Sequence, residues 1–163
     1  RLAAEHADHV LALDADHVVI DRLYHRLKEE GDSTILPLVA DVADPSPGLG
    51  WRGQDRRPLD DRATPELILC LALIHHVVIG RNIPITDLID WLSGFGADLV
   101  IEFVDHGDPM VDKLLRNRTG QDVEYSAEAL EVALARSFGT VMQEELASGT
   151  RTLYHAQAKA HAV

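Results

Sequence analysis

Apolar residues in this chain fall into short blocks, separated by stretches with helical spacing. Val10-Leu11-Ala12-Leu13 is a compact block, opened by His9 and closed by Asp14. Its length and lack of alternation predict an inner parallel strand. Asp16 then stands where a carboxylate can cap a helix, Val18, Val19, Leu23 and Leu27 follow at helical spacing, and Gly31 closes the segment. Thr34 to Val39 is a second strand-like block, ending at Ala40-Asp41-Val42. Leu67 to Leu73 is the most apolar run and predicts a central buried strand. Ile74-His75-His76 follow, then a polar break at Gly80-Arg81-Asn82. Helical period resumes from Ile83 to Phe95, with Thr86 as a candidate cap and Ile89, Trp91, Leu92 and Phe95 as the apolar face.

Asp98 to Val104 predicts another inner strand, and Met110 to Asn117 a short helix. Ser126 opens a helix over Ala127 to Phe138, with Glu128 and Glu131 near its start and Arg136 near its end, as the helix dipole favours. Thr140 to Leu146 and Arg151 to Gln157, joined by Ala147-Ser148-Gly149-Thr150, predict a terminal antiparallel hairpin. At the ends of the chain, Arg1 to Ala7 reads as helix and Ala158 to Val163 as a fraying tail. Strands alternating with helices imply crossovers and a largely parallel sheet, so the expected class is α/β, in a single domain over residues 1–163. Asp44 to Gly53 is rich in Pro and Gly and predicts a long loop, with Trp51 as its anchor.

Composition narrows the function classes. With 163 residues, 46% hydrophobic and 26% charged, the chain has enough apolar material for a core. A net charge of −12 gives backbone-driven nucleic-acid binding no general support. The one basic cluster, Arg52, Arg56, Arg57 and Arg62, is interleaved with Asp55, Asp60 and Asp61 and reads as a solvated loop. The longest apolar stretch, Leu67 to Gly80, contains two histidines and falls short of the roughly 20 residues of a membrane span. No apolar leader follows Arg1, so a cytoplasmic protein is expected. Cys70, alone and within an apolar run, reads as a core side chain.

The Val10-Leu11-Ala12-Leu13-Asp14 block, Ala40-Asp41-Val42, the run from Pro65 to His76 and the Asp98 to Val104 strand occur in an order that resembles a class I S-adenosylmethionine-dependent methyltransferase of Rossmann-like fold. The resemblance implies S-adenosylmethionine as cofactor. It implies that Asp14 binds the ribose hydroxyls, with Asp16 either joining it or capping the helix, the cap being preferred. It implies that Asp41 and the Val42 backbone meet the adenine, and that Leu71, Ala72 and Leu73 lie near the methionine part. No catalytic residue is identified. His75 and His76 are the weak candidates for a general base, and could equally cap the strand or pack beneath the loop, with lining the site preferred over catalysis. A metal site built from them with His106 is rejected, because adjacent histidines diverge and no helix-spaced partner is present.

That family's first strand and Gly-rich loop have no counterpart here, and Arg1 to Ala7 resembles the end of the helix after that loop. The chain is therefore expected to be a fragment or processed piece of a longer protein, N-terminally truncated, binding cofactor weakly or not at all and inactive by itself. Loss of a central strand would leave two strands unpaired and invite self-association through the open edge. The expected acceptor in the intact protein is a small molecule, with neither nucleic acid nor membrane as partner, and the loop from Asp44 to Arg62 is a candidate substrate cover. Two rivals stay open: an NAD-dependent oxidoreductase half-domain, disfavoured by Asp41-Val42 and the hairpin, and a non-catalytic binding or assembly protein of the same fold.

Overall fold

In the computed structural model, which describes residues 1–116 and 124–159, the first apolar block becomes strand β1 (Val10–Asp14) and the second becomes β2 (Ile35–Val39). They pair in parallel, Val10 opposite Ile35 and Asp14 opposite Val39. Parallel neighbours require a crossover, which helix α1 (His17–Glu30) supplies. Asp16 starts it as predicted: its Oδ1 accepts from the Val18 N–H at 2.8 Å and the Val19 N–H at 3.4 Å. Gly31 ends it at φ 69°, a conformation that costs glycine little. Ile20 and Leu27 of α1 and Ile35 of β2 are buried. Pro37 sits inside β2 without an N–H to donate, which an edge strand tolerates.

These elements belong to one compact unit, Arg1–Pro58, and the rest of the chain to a second, Leu59–Val163. In the first unit the expected N-terminal helix is reduced to a short 3-10 segment, Leu2–Glu5, with no buried residue and no side-chain cap. Good propensity over a few residues does not offset the cost of helix nucleation without an apolar face to bury. Trp51 does not anchor its loop, since it is 80% exposed. Backbone bonds do that work instead. Leu49 and Arg56 bridge antiparallel around a 3-10 turn, Trp51–Gly53, and the Trp51 N–H donates to Asp55 Oδ2 at 3.0 Å.

The second unit runs α2 (Leu59–Arg62), β3 (Leu67–Cys70), a π-helical turn at His76–Gly80, α3 (Ile85–Ser93), β4 (Asp98–Val104), α4 (Pro109–Arg116), α5 (Ala127–Ser137), β5 (Val141–Glu145) and β6 (Arg151–Ala156). Its sheet is mixed, in the order β3-β4-β6-β5. β3 and β4 are parallel, whereas β6 is antiparallel to both β4 and β5. The hairpin is thus present, with its second strand on the inside. β4 forms the spine, with Leu99, Ile101, Phe103 and Val104 all buried. Ile89 and Leu92 of α3 and Leu130 and Leu134 of α5 complete the core, and these two helices pack on each other. Ser126 caps α5 through the Ala129 N–H at 3.1 Å.

Several expectations need correction. β3 is not a central strand: within its sheet it pairs with β4 alone, and Leu67 and Leu69 are about half exposed. It also stops at Cys70, because the chain turns at Ala72 with φ 50°. Thr86 does not cap α3, which begins at Ile85 behind Pro84 and has no side-chain cap. Ala158 does not fray, since its N–H donates to Asp98 Oδ1 at 2.8 Å. Asn117 and residues 160–163 lie outside the described residues. Cys70 is buried as expected, and burial pushes its thiol up to about 12.

If β4 is the spine of this unit, Ile101→Ala removes a fully buried side chain and is expected to cost about 2–5 kcal/mol. Val132→Ala, on the exposed face of α5, should stay within about 0.5 kcal/mol. Urea unfolding of the two variants checks the difference, and equal losses would contradict this account of the core.

Candidate functional site

In the first unit the chemistry collects where β1 and β2 end. Asp14 closes β1, and its carbonyl oxygen accepts from the Ala40 N–H at 3.0 Å, tying the two strand ends together. Its side-chain Oδ1 accepts from the Asp16 N–H at 2.8 Å. That turn orients an exposed carboxylate at the strand end and leaves Oδ2 outside the bond. Asp41 follows β2, with Oδ1 accepting from the Ala43 N–H at 2.9 Å, and Val42 lies half-buried in the same turn. Asp16 is occupied as the cap of α1. Asp14 and Asp41 therefore share one sheet end, as parallel pairing requires. A hollow of about 560 Å³ in this unit runs along α1 and β2 among His17, Tyr24 and Leu38, and does not include either carboxylate in its lining.

In the second unit the chemistry collects where β3 ends. Leu71 and Ala72 are exposed, and Ala72 holds a left-handed conformation at φ 50°. For a residue with a Cβ this costs about 1–2 kcal/mol and needs support from its surroundings. Glu102 of β4 supplies it: Oε2 accepts from the Ala72 N–H at 2.6 Å. The other oxygen, Oε1, accepts from Arg151 Nη1 at 3.0 Å. Arg151 opens β6, and its Nη2 donates to Asp108 Oδ2 at 3.1 Å. Asp108 in turn accepts from the Met110 N–H at 2.9 Å, at the start of α4. This N–H first, and Arg151 after it, hold the Asp108 carboxyl below its usual range. Glu102 and Asp108 are both buried, so each charge needs the partner it has.

His75 and His76 follow the turn with ring centroids 4.2 Å apart. They differ sharply in surroundings. His76 is exposed, whereas His75 is 3% exposed and its Nδ1 has no hydrogen-bond partner among the described residues. Burial, reinforced by His76, lowers the His75 pKa to about 4, against the opposing pull of Asp108 and Glu102. His75 is therefore neutral at pH 7, and a weak base. His106 is engaged elsewhere, with Nε2 2.9 Å from the Tyr125 carbonyl oxygen, and the Tyr125 hydroxyl donates to the Val104 carbonyl at 2.7 Å. Among the described residues no group of three or more His, Cys, Asp or Glu side chains is placed to hold a metal ion.

Glu102, Asp108 and Arg151 were not singled out by the sequence reading. Glu102 did leave a signal, as a lone acid inside the apolar strand Leu99-Val100-Ile101-Glu102-Phe103-Val104. Arg151, reaching back from a hairpin 49 residues away, left none.

No family model matches the chain. It is 29% identical over 148 residues to nodulation protein NoeA of Rhizobium meliloti (strain 1021), a match that spans 91% of this chain and 31% of that protein. The chain thus covers about a third of the length of this curated relative. Among solved structures it is similar to EvdMO1, with a TM-score of 0.60 and 13% identity over 92% of this chain and 32% of that one. It is also similar to the PH0226 protein of Pyrococcus horikoshii OT3, with a TM-score of 0.61 and 12% identity over 97% of this chain and 75% of that one. At such identities the likeness concerns the fold alone: a Rossmann-like α/β architecture with one parallel and one mixed sheet, over most of the chain.

Burial of His75 has a consequence for its titration. His75 has a pKa depressed from 6.5 to about 4, so it contributes stability at pH above 6.5 that is lost as pH falls toward 4. Histidine NMR titration should show His75 neutral down to about pH 4, and His75→Phe should flatten the fall in stability across that window. A His75 midpoint near 6.5 would contradict its burial.

Proposed function

We propose that the protein carrying this chain transfers a methyl group from S-adenosylmethionine to a small-molecule acceptor, and that Asp14 binds the cofactor's ribose. The observation that supports this best is the Asp14 carboxylate at the end of β1, oriented through Oδ1 by the Asp16 N–H with Oδ2 left outside that bond. A vicinal diol offers two donors, and an ionised carboxylate is the acceptor that binds both most strongly. Asp41, at the end of the neighbouring strand, suits the adenine amino group, with the Val42 backbone beside it. The antiparallel β6–β5 hairpin favours a methyltransferase sheet over an oxidoreductase half-domain.

S-adenosylmethionine, when bound, brings an electrophilic methyl on a sulfonium. The chain's own contribution is to bind and orient, because in-line transfer depends chiefly on position. Of the two histidines, exposed His76 is the better candidate to accept an acceptor's proton. Buried His75, with a pKa of about 4, is a poor proton acceptor. The net charge of −12 supports a small or neutral acceptor over a polyanion.

Calorimetric titration of S-adenosylmethionine and S-adenosylhomocysteine into the full-length protein tests the reading. Asp14→Ala is expected to weaken both ligands at least about tenfold. Asp16→Ala should instead cost about 1 kcal/mol of stability, as a lost helix cap. Binding of a nicotinamide dinucleotide in place of both ligands would favour the oxidoreductase, and binding of none would favour a non-catalytic protein of this fold.

A further inference from the structure

We propose that the loop tip around Trp51 is a docking surface for an anionic lipid bilayer, with the indole seated at the headgroup level and Arg52, Arg56 and Arg57 facing the lipid phosphates. These residues all belong to the first unit, Arg1–Pro58, and the docking does not depend on methyl transfer. Trp51 is 80% exposed, and Leu49, two residues before it, is 42% exposed. An indole left in water forgoes the apolar burial that a core position would give it. Slack in the loop does not explain this, because the backbone is closely held. The Leu49 N–H donates to the Arg56 carbonyl at 2.8 Å, and the Arg56 N–H donates back to the Leu49 carbonyl at 3.1 Å. Between them the Gly53 N–H bonds to the Gly50 carbonyl at 3.0 Å. Gly50 sits at φ 82°, and a Cβ there would collide with the Asp55 carboxylate, so the turn calls for glycine. The loop thus holds Trp51 outward in a fixed turn.

The charge of the tip is uncommitted as well. Arg52, Arg56 and Arg57 are exposed, and among the described residues no ion pair or side-chain hydrogen bond engages their guanidinium groups. The acid between them, Asp55, has Oδ2 occupied by the Trp51 N–H at 3.0 Å. Free cations beside an exposed indole suit an anionic partner. A small molecule needs a concave site, and an outward ring at a turn encloses nothing. Single-stranded nucleic acid needs a basic groove with successive stacking rings, whereas this tip has one ring in a chain of net charge −12. A bilayer needs neither pocket nor groove. Indole rings settle at the headgroup level, and anionic lipid attracts basic side chains near its surface. Repulsion from the acidic remainder of the chain is screened beyond about 8 Å at physiological salt. No helix among the described residues is long and apolar enough to cross a membrane, but peripheral docking requires none.

Flotation of the full-length protein with lipid vesicles tests this. Vesicles of phosphatidylcholine with about 30% phosphatidylglycerol are expected to carry the protein, and vesicles of phosphatidylcholine alone to carry at least about fivefold less. Trp51→Ala should lower the partition coefficient at least about fivefold, while Trp51→Tyr, which keeps an amphipathic ring, should retain most of it. Arg57→Gln should lower it about fivefold, and raised salt should weaken the wild-type protein in the same direction. These side chains are exposed, so the variants should fold as the wild type does, which circular dichroism checks. Failure to bind the anionic vesicles, equal binding to both kinds of vesicle, or equal binding of Trp51→Ala and the wild type overturns the proposal. So does binding of soluble polyglutamate that Trp51→Ala loses while the vesicles are ignored, a result that would assign the tip to an acidic protein partner instead.

Discussion

Two neighbouring strands that point the same way must be joined by a segment that carries the chain back to the starting end of the sheet. Both parallel pairs obey this constraint: β1 returns through α1 to β2, and β3 returns through the segment containing α3 to β4. The consequence is that each parallel pair finishes at one end, where the backbone leaves the ladder and polar groups find a place. Asp14 and Asp41 meet at the end of the first pair, and their carboxylates are turned by the N–H groups of the residues two steps on. At the end of the second pair stand the Ala72 turn, its Glu102 support and the two histidines. The chemistry sits where it does because of strand direction, before any particular side chain is considered.

Polar groups in this molecule differ widely in what they hold. The Asp90–Arg136 pair joins α3 to α5 but is more than half exposed on both sides, so water and salt reduce it to a small contribution. The Glu102–Arg151–Asp108 chain is different. Its carboxylates are only 8% and 12% exposed, and removing one partner would leave another charge buried without compensation. That network ties β4, β6 and the start of α4 to the turn after β3, and so couples the sheet to the segment that carries His75 and His76.

Much of this was legible in the order of residues. The α1 cap at Asp16, its stop at Gly31, the α5 cap at Ser126 and the terminal hairpin all rest on local chemistry, which a few neighbouring residues determine. The fold class followed from the alternation of strands and helices. Reading went wrong where the outcome depended on distant partners. An apolar run from Leu67 to Leu73 gives no hint that its strand stops at Cys70, because the turn at Ala72 is bonded to Glu102 on another strand. Trp51 resembled an anchor because aromatic rings often are, yet backbone bonds hold its loop. His75 and His76 look alike in sequence. Only packing separates a buried, neutral ring from an exposed one.

The central claim is that the carboxylate ending β1 receives the adenosyl part of a cofactor. The Asp16 amide reports on it directly, since its proton is bonded to Asp14 Oδ1. Mapping 1H–15N amide shifts of the full-length protein during titration with S-adenosylhomocysteine is therefore the most direct measurement. The account predicts saturable shifts at Asp16 and at Val42 and Ala43, absent in the Asp14→Ala variant. Saturable shifts that leave Asp16 and the Asp41 turn unmoved, or that persist unchanged in Asp14→Ala, would contradict it.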